Sequence, residues 1–188
     1  MREKPNTMKP RIPVLLFAVW ALTTHVLADP PPTPYAGEQN RMIKALSEED
    51  IAALLKGEGM GMAKAAELNG YPGPVHVLTL AQELELTPVQ RQQVRAIFER
   101  MSAAAKPLGA ELVEHERMLD QAFAKGEITP DRLAAETATS GELGGRLRLV
   151  HLAAHLETRA LLNPRQIALY QHLRGYADPA AVMHHHHG

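Results

Sequence analysis

The sequence contains no cysteine. It can therefore form neither disulfides nor thiolate metal sites, and any metal would have to be held by His, Met or carboxylate. Aromatic residues make up 4% of the chain, with a single Trp. So lean a set, beside abundant Ala and Leu, argues against a compact all-β core and for helices. Net charge is −1 over 188 residues. Without a basic excess or basic patch the chain is a poor ligand for nucleic acid. Long hydrophobic runs are also missing. The apolar stretch from Ile12 to Ala28 is interrupted by Thr23, Thr24 and His25 and falls short of the roughly 20 apolar residues a span needs.

That short stretch is nonetheless informative. It follows Arg2, Lys4, Lys9 and Arg11 and ends in Val26-Leu27-Ala28. A basic start, a short apolar middle and a small-residue end predict a secretory signal over 1–28, with an uncleaved N-terminal anchor as the alternative. Its removal takes Lys+Arg from 20 to 16 and Asp+Glu from 21 to 20, leaving a chain of about −4. Residues 29–46, with Pro30, Pro31, Pro32 and Pro34, read as a flexible Pro-rich leader without a core. Residues 47–176 form the helical domain, and 177–188 a flexible tail carrying His184 to His187. Those four histidines are a native metal-catching tract or an added tag.

Helix grammar fills the domain. Ser47 caps a helix predicted to run to about Leu68, although Gly57, Gly59 and Gly61 weaken it and admit either a close neighbour or a joint. The NGYPGP turn stops it, and VHVLTLAQELEL predicts about three further turns. Then comes LTPVQ, Leu86 to Gln90, and 76 positions later LNPRQ, Leu162 to Gln166. Thr87 and Asn163 are caps, each proline suits the first helical position, and Gln90 and Gln166 can reach back to close a capping box. Ile128-Thr129-Pro130 repeats the first half of the word.

Between the two words lie two long helical stretches separated by KGEITP. The first, Pro88 to Lys125, places Val94, Ile97, Met101, Ala104, Leu108, Leu112, Leu119 and Ala122 on one stripe. It should extend roughly 55 Å and bend at Pro107. The second runs to about Leu162, with Leu133, Thr137, Leu143, Leu147, Val150, Ala154 and Leu161 on one side. Gly141, Gly144 and Gly145 in it suggest close packing. The expected fold is all-α: a long bent antiparallel hairpin with shorter flanking helices. So thin a seam leaves apolar surface uncovered, and a second copy is the expected cover.

Exported, all-helical, and carrying two LTxxQ-type words around a long hairpin, the stretch from Ser47 to Tyr176 resembles the Spy/CpxP family of periplasmic LTxxQ proteins. The second word departs from the pattern at Asn163, which caps as well as Thr. The order of helix, NGYPGP turn, helix and hairpin is similar to the CnrX and ZraP type of periplasmic metal sensor. The resemblance implies a cradle-shaped dimer in the periplasm of a Gram-negative bacterium. It implies action as an ATP-independent chaperone on partly unfolded proteins, as an adaptor for a sensor kinase or anti-sigma system, or as a heavy-metal sensor. No cofactor is required under the first two.

Candidate site residues follow two chemistries. His151 and His155, four apart on one helix side, can share Zn, Cu, Ni or Co, with Met101 brought near by the hairpin. Glu111 with His115, and His76 on the preceding helix, are weaker candidates, and Met60 and Met62 could take Cu(I). For client capture, Ile97, Phe98, Met101 and Leu108 would supply apolar contact, with Arg91, Arg95 and Arg100 adding charge. Catalytic signatures are missing. HExxH does not occur, no Glu stands three before any of the domain's histidines, GEGMGM lacks the Lys of a phosphate loop, and Glu114 and Glu116 lie on a solvated face. A non-enzymatic binding protein is expected.

Overall fold

The computed structural model describes residues 33–176. The expected secretory signal and the histidine tail lie outside the described residues. The elements are α1 Glu48–Lys56, α2 Lys64–Glu67, α3 Pro74–Thr79, α4 Pro88–Ala124, α5 Pro130–Leu161 and α6 Pro164–Leu173. Among the described residues there is no strand, save an isolated bridge between Ile43 and Leu46. No helix there is long and apolar enough to cross a membrane.

The helix starts follow their caps. Ser47, Thr87 and Asn163 each accept from the N–H three residues on, and the side chains of Asp50, Gln90 and Gln166 return to the cap N–H. Thr129 caps α5 from one side only, by accepting from Arg132 N–H. Helix α4 continues through Pro107. Proline has no N–H for the Ala103 carbonyl, but Ala103 is exposed and water can serve it.

The α4–α5 hairpin carries the core as three successive clusters. At its open end Val77, Ala81, Leu84, Leu86, Val94, Leu162 and Tyr170 pack together. The leading leucines of the two five-letter words, Leu86 and Leu162, thus share one cluster. Ile97, Met101 and Ala154 follow, and Leu54, Ala105, Leu108, Leu143 and Leu147 lie beyond.

Several expectations are corrected. The helix predicted from Ser47 to Leu68 is broken. Gly57, at φ +71°, ends α1 in the left-handed region, and residues 58–63 turn before α2 begins. Helix α3 is shorter than expected, because the chain turns at Leu80 to Glu85. Ala105 rather than Ala104 occupies the α4 seam, and Leu133 and Thr137 are exposed. Close glycine packing is found on the other arm. A Cβ on Gly109 of α4 would stand 2.1 Å from the Leu54 carbonyl oxygen, whereas one on Gly141, Gly144 or Gly145 would meet nothing within 4 Å. The end of the leader joins the domain: Ile43 is 2% exposed and Lys44 donates to Asp120 from both its backbone and its ammonium.

Candidate functional site

Two constructions stand out at the open end of the hairpin. The first joins the repeated words. Gln90 Nε2 donates to Gln166 Oε1 at 3.0 Å, and Gln166 Nε2 returns a bond to Gln90 Oε1 at 3.2 Å. The remaining capacity is used as well. Gln90 Nε2 donates to the Leu161 carbonyl, and Gln166 Nε2 to the Leu84 carbonyl. Each Oε1 accepts from its own cap N–H, Thr87 or Asn163. The two helix starts are therefore interlocked as well as capped, a satisfied amide network with Gln166 buried.

The second is a cavity of about 620 Å³. The turn after α1 contributes Met60, α3 contributes Pro74, Val75 and His76, α4 contributes Phe98 and Met101, and α5 contributes His151 and His155. Glu67 of α2 is the hub of its wall. The carboxylate accepts from the Tyr170 phenol and from Gly73 N–H. His76 Nδ1 and Arg174 Nε each lie 3.5 Å from it and His155 Nδ1 lies 3.7 Å away. His155 Nδ1 bonds the Tyr71 carbonyl at 2.7 Å, so in the neutral ring that nitrogen carries the proton. Gly73 is required here, since an added Cβ would stand 2.9 Å from His155 Nε2. Arg159 holds the same loop through the Gly70 carbonyl and stacks over the Tyr71 ring.

Burial sets the protonation of this wall. It pushes the Tyr170 phenol far up, and the Glu67 carboxylate adds to the effect. His151 is held below its ordinary value by burial first and by the neighbouring His155 second. His76 is lowered by burial and by Arg174, against the opposing pull of Glu67. The imidazoles of His76 and His151 therefore favour the neutral form.

The sequence candidates divide accordingly. His76, His151, His155, Met101 and Phe98 are brought to one cavity, with Met60. His115 is elsewhere: its Nε2 meets the Glu136 carbonyl at 2.8 Å and the Glu136 carboxylate at 3.2 Å, while Glu111 is exposed. Among the described residues no group of three or more His, Asp or Glu is arranged to hold a metal ion. The residues expected to meet clients on α4 differ in exposure. Ile97, Met101 and Leu108 are 5%, 9% and 7% exposed, spent on the chain's own core, and Phe98 is half-buried. Arg91 and Arg95 flank a shallow depression with Leu86 and Pro88, and Arg100 pairs with Glu157.

Exposed apolar side chains also stand on α5. Its inner face buries Leu143, Leu147, His151, Ala154 and Thr158. Leu149 and Leu156 stand on the opposite face, 65% and 59% exposed, with Leu152 half-buried between them. Sequence reasoning missed this stripe, because Leu147 and Leu149 compete for the inward place. It also missed Glu67, which in AAELNG looks like an ordinary surface residue. The NGYPGP glycines were the available signal, since they let a loop come that close.

Residues 76–174 match the family model described as LTXXQ motif family protein. No curated protein matches the chain, and no solved structure matches it.

Proposed function

The chain belongs to the LTXXQ motif family, of the Spy/CpxP type, and on that footing we propose that it is a periplasmic, non-enzymatic chaperone or adaptor that captures partly unfolded proteins without ATP. The observation supporting this reading is the exposed leucine stripe of α5. Leu149 and Leu156 stand two helical turns apart, about 10 Å, on a face that no element of the domain covers. Exposed Arg146 and Arg148 adjoin them. Such a stripe favours apolar segments, and flanking cations favour segments with acidic residues. Contact is reversible because a client that folds buries its own apolar side chains and leaves nothing to hold.

The test uses Leu149→Asn/Leu156→Asn. Both sites are exposed, so folding stability should change by no more than about 0.5 kcal/mol each. Suppression of a client's aggregation, followed by light scattering, should fall several-fold, and sedimentation should show an unchanged association state. A variant that loses a homodimer yet still suppresses aggregation would make the stripe a subunit seam and defeat the assignment.

Metal handling is the second reading. It draws on the convergence of His76, His151, His155 and Met101 on one cavity, since imidazole and thioether donors suit Zn, Cu, Ni or Co. The same scattering assay, run with and without each metal on a chain lacking 184–187, measures whether metal modulates capture through these residues.

A further inference from the structure

We propose that Asn69 is a site of spontaneous deamidation, and that its isoaspartyl product releases the NGYPGP loop from α5. The chain carries asparagine at positions 6, 40, 69 and 163, and only Asn69 is followed by glycine. The reaction is an attack by the next backbone nitrogen on the asparagine's own Cγ. Glycine has no side chain to screen that nitrogen. Asn40 precedes Arg41, whose side chain crowds it, and Asn163 precedes Pro164, whose nitrogen carries no proton to give up.

The local structure leaves the attack open. Asn69 is exposed. Its Nδ2 donates to the Ala65 carbonyl at the surface, where water can replace the bond. The N–H groups of Asn69 and Tyr71 both donate to the Ala66 carbonyl, whereas that of Gly70, between them, donates to no group among the described residues. Gly70 N gives its proton to hydroxide and bonds to Asn69 Cγ. The Cγ–Nδ2 bond breaks, and Nδ2 leaves as ammonia with a proton from water. Water then opens the ring. Cleavage at Cγ restores the original main chain with aspartate in place of asparagine. Cleavage at the main-chain carbonyl carbon gives isoaspartate, in which the chain runs through Cβ and Cγ and is longer by one carbon. Over both steps water is consumed, ammonia is released and nothing is oxidised or reduced.

The added carbon falls inside a closed turn. Gly70, at φ +79°, ends the helical stretch, and Tyr71 N–H closes the turn on Ala66. The two carbonyls that follow are both held by α5. Arg159 Nε donates to Gly70 O at 3.1 Å, and His155 Nδ1 bonds Tyr71 O at 2.7 Å. Lengthening the chain between Ala66 and these acceptors moves them off their donors. The aspartyl product keeps the chain length and leaves them in place.

The inference uses neither the α5 stripe nor client capture. The purified chain is kept for weeks at mildly alkaline pH and physiological temperature, then digested and read by mass spectrometry, with isoaspartate identified by enzymatic methylation of its carboxylate. The peptide holding Asn69 should convert while the one holding Asn40 stays intact. Asn69→Gln, whose longer side chain disfavours ring closure, should abolish the conversion. Hydrogen exchange of the separated isoaspartyl form should show loss of protection over residues 70–73, with Asn69→Asp protected like the unmodified chain. Conversion no faster at Asn69 than at Asn40, conversion only after unfolding in urea, or an isoaspartyl form with unchanged protection would each overturn the proposal.

Discussion

The side chains of Gln90 and Gln166 each make four hydrogen bonds to three partner residues, and each is one of the other's partners. Truncating one deprives the other of two of its four bonds and leaves a cap N–H and a backbone carbonyl without their side-chain partner, so that part of the desolvation cost is no longer offset. Gln166→Ala should therefore cost about 2–3 kcal/mol, seen as a lower urea midpoint with unchanged slope. The pairing makes the two positions non-additive. Gln90→Ala/Gln166→Ala should cost clearly less than the sum of the single changes, because the second truncation removes an amide that has already lost its two bonds to the first. Additive losses within about 0.5 kcal/mol would show that the bonds between the two amides contribute nothing. Half of this arrangement was legible in the sequence. The boxes at Thr87 and Asn163 depend on residues three apart, and local spacing reveals them. That the two boxes touch depends on where a hairpin of 76 positions returns, and no local pattern carries that. Glu67 is hidden for the same reason, since its partners Tyr170 and Arg174 lie on the last helix and at its C-cap.

Among the elements, the arms of the hairpin differ in what they tolerate. Helix α1 crosses α4 where Gly109 leaves room for the Leu54 carbonyl. Gly109→Ala forces the two helices apart and should cost about 1–3 kcal/mol, the range for overpacking. Gly144→Ala, on the open side of α5, should do the opposite. It gains helix propensity and lowers the entropy of the unfolded chain, for a rise of about 0.5–1 kcal/mol. Thermal unfolding of the two variants gives the opposite signs directly; a fall at Gly144 would mean that this face is covered by something outside the domain. Helix type was readable throughout, because period and caps agree over long windows. Helix ends near glycine were not. Gly57 serves as a C-cap in a left-handed conformation, and the same letter inside a helix looks identical. The glycines of α5 invited a close-packing interpretation that properly belongs to Gly109, since a lone small residue does not announce which neighbour approaches it.

At the scale of the whole described domain, burial is unevenly distributed along the hairpin. The open end gathers α3, α6 and both capped words around Tyr170. At the far end no residue from 123 to 142 is buried, and its cross-arm ties are polar ones such as Ser140 to Glu116. Opening free energy follows local burial. Amides of 123–142 should therefore exchange with deuterium well before those of 90–97 and 154–162, as hydrogen-exchange mass spectrometry would show; equal protection along both arms would contradict this distribution. The amide lock has a further consequence for motion. The first turns of α4 and α6 are fastened to each other, so neither can fray while the other stays closed. A proteolytic cut or a strain delivered at the carboxyl-terminal helix is thereby transmitted, with no conformational relay between, to the root of the arm that begins 76 residues earlier.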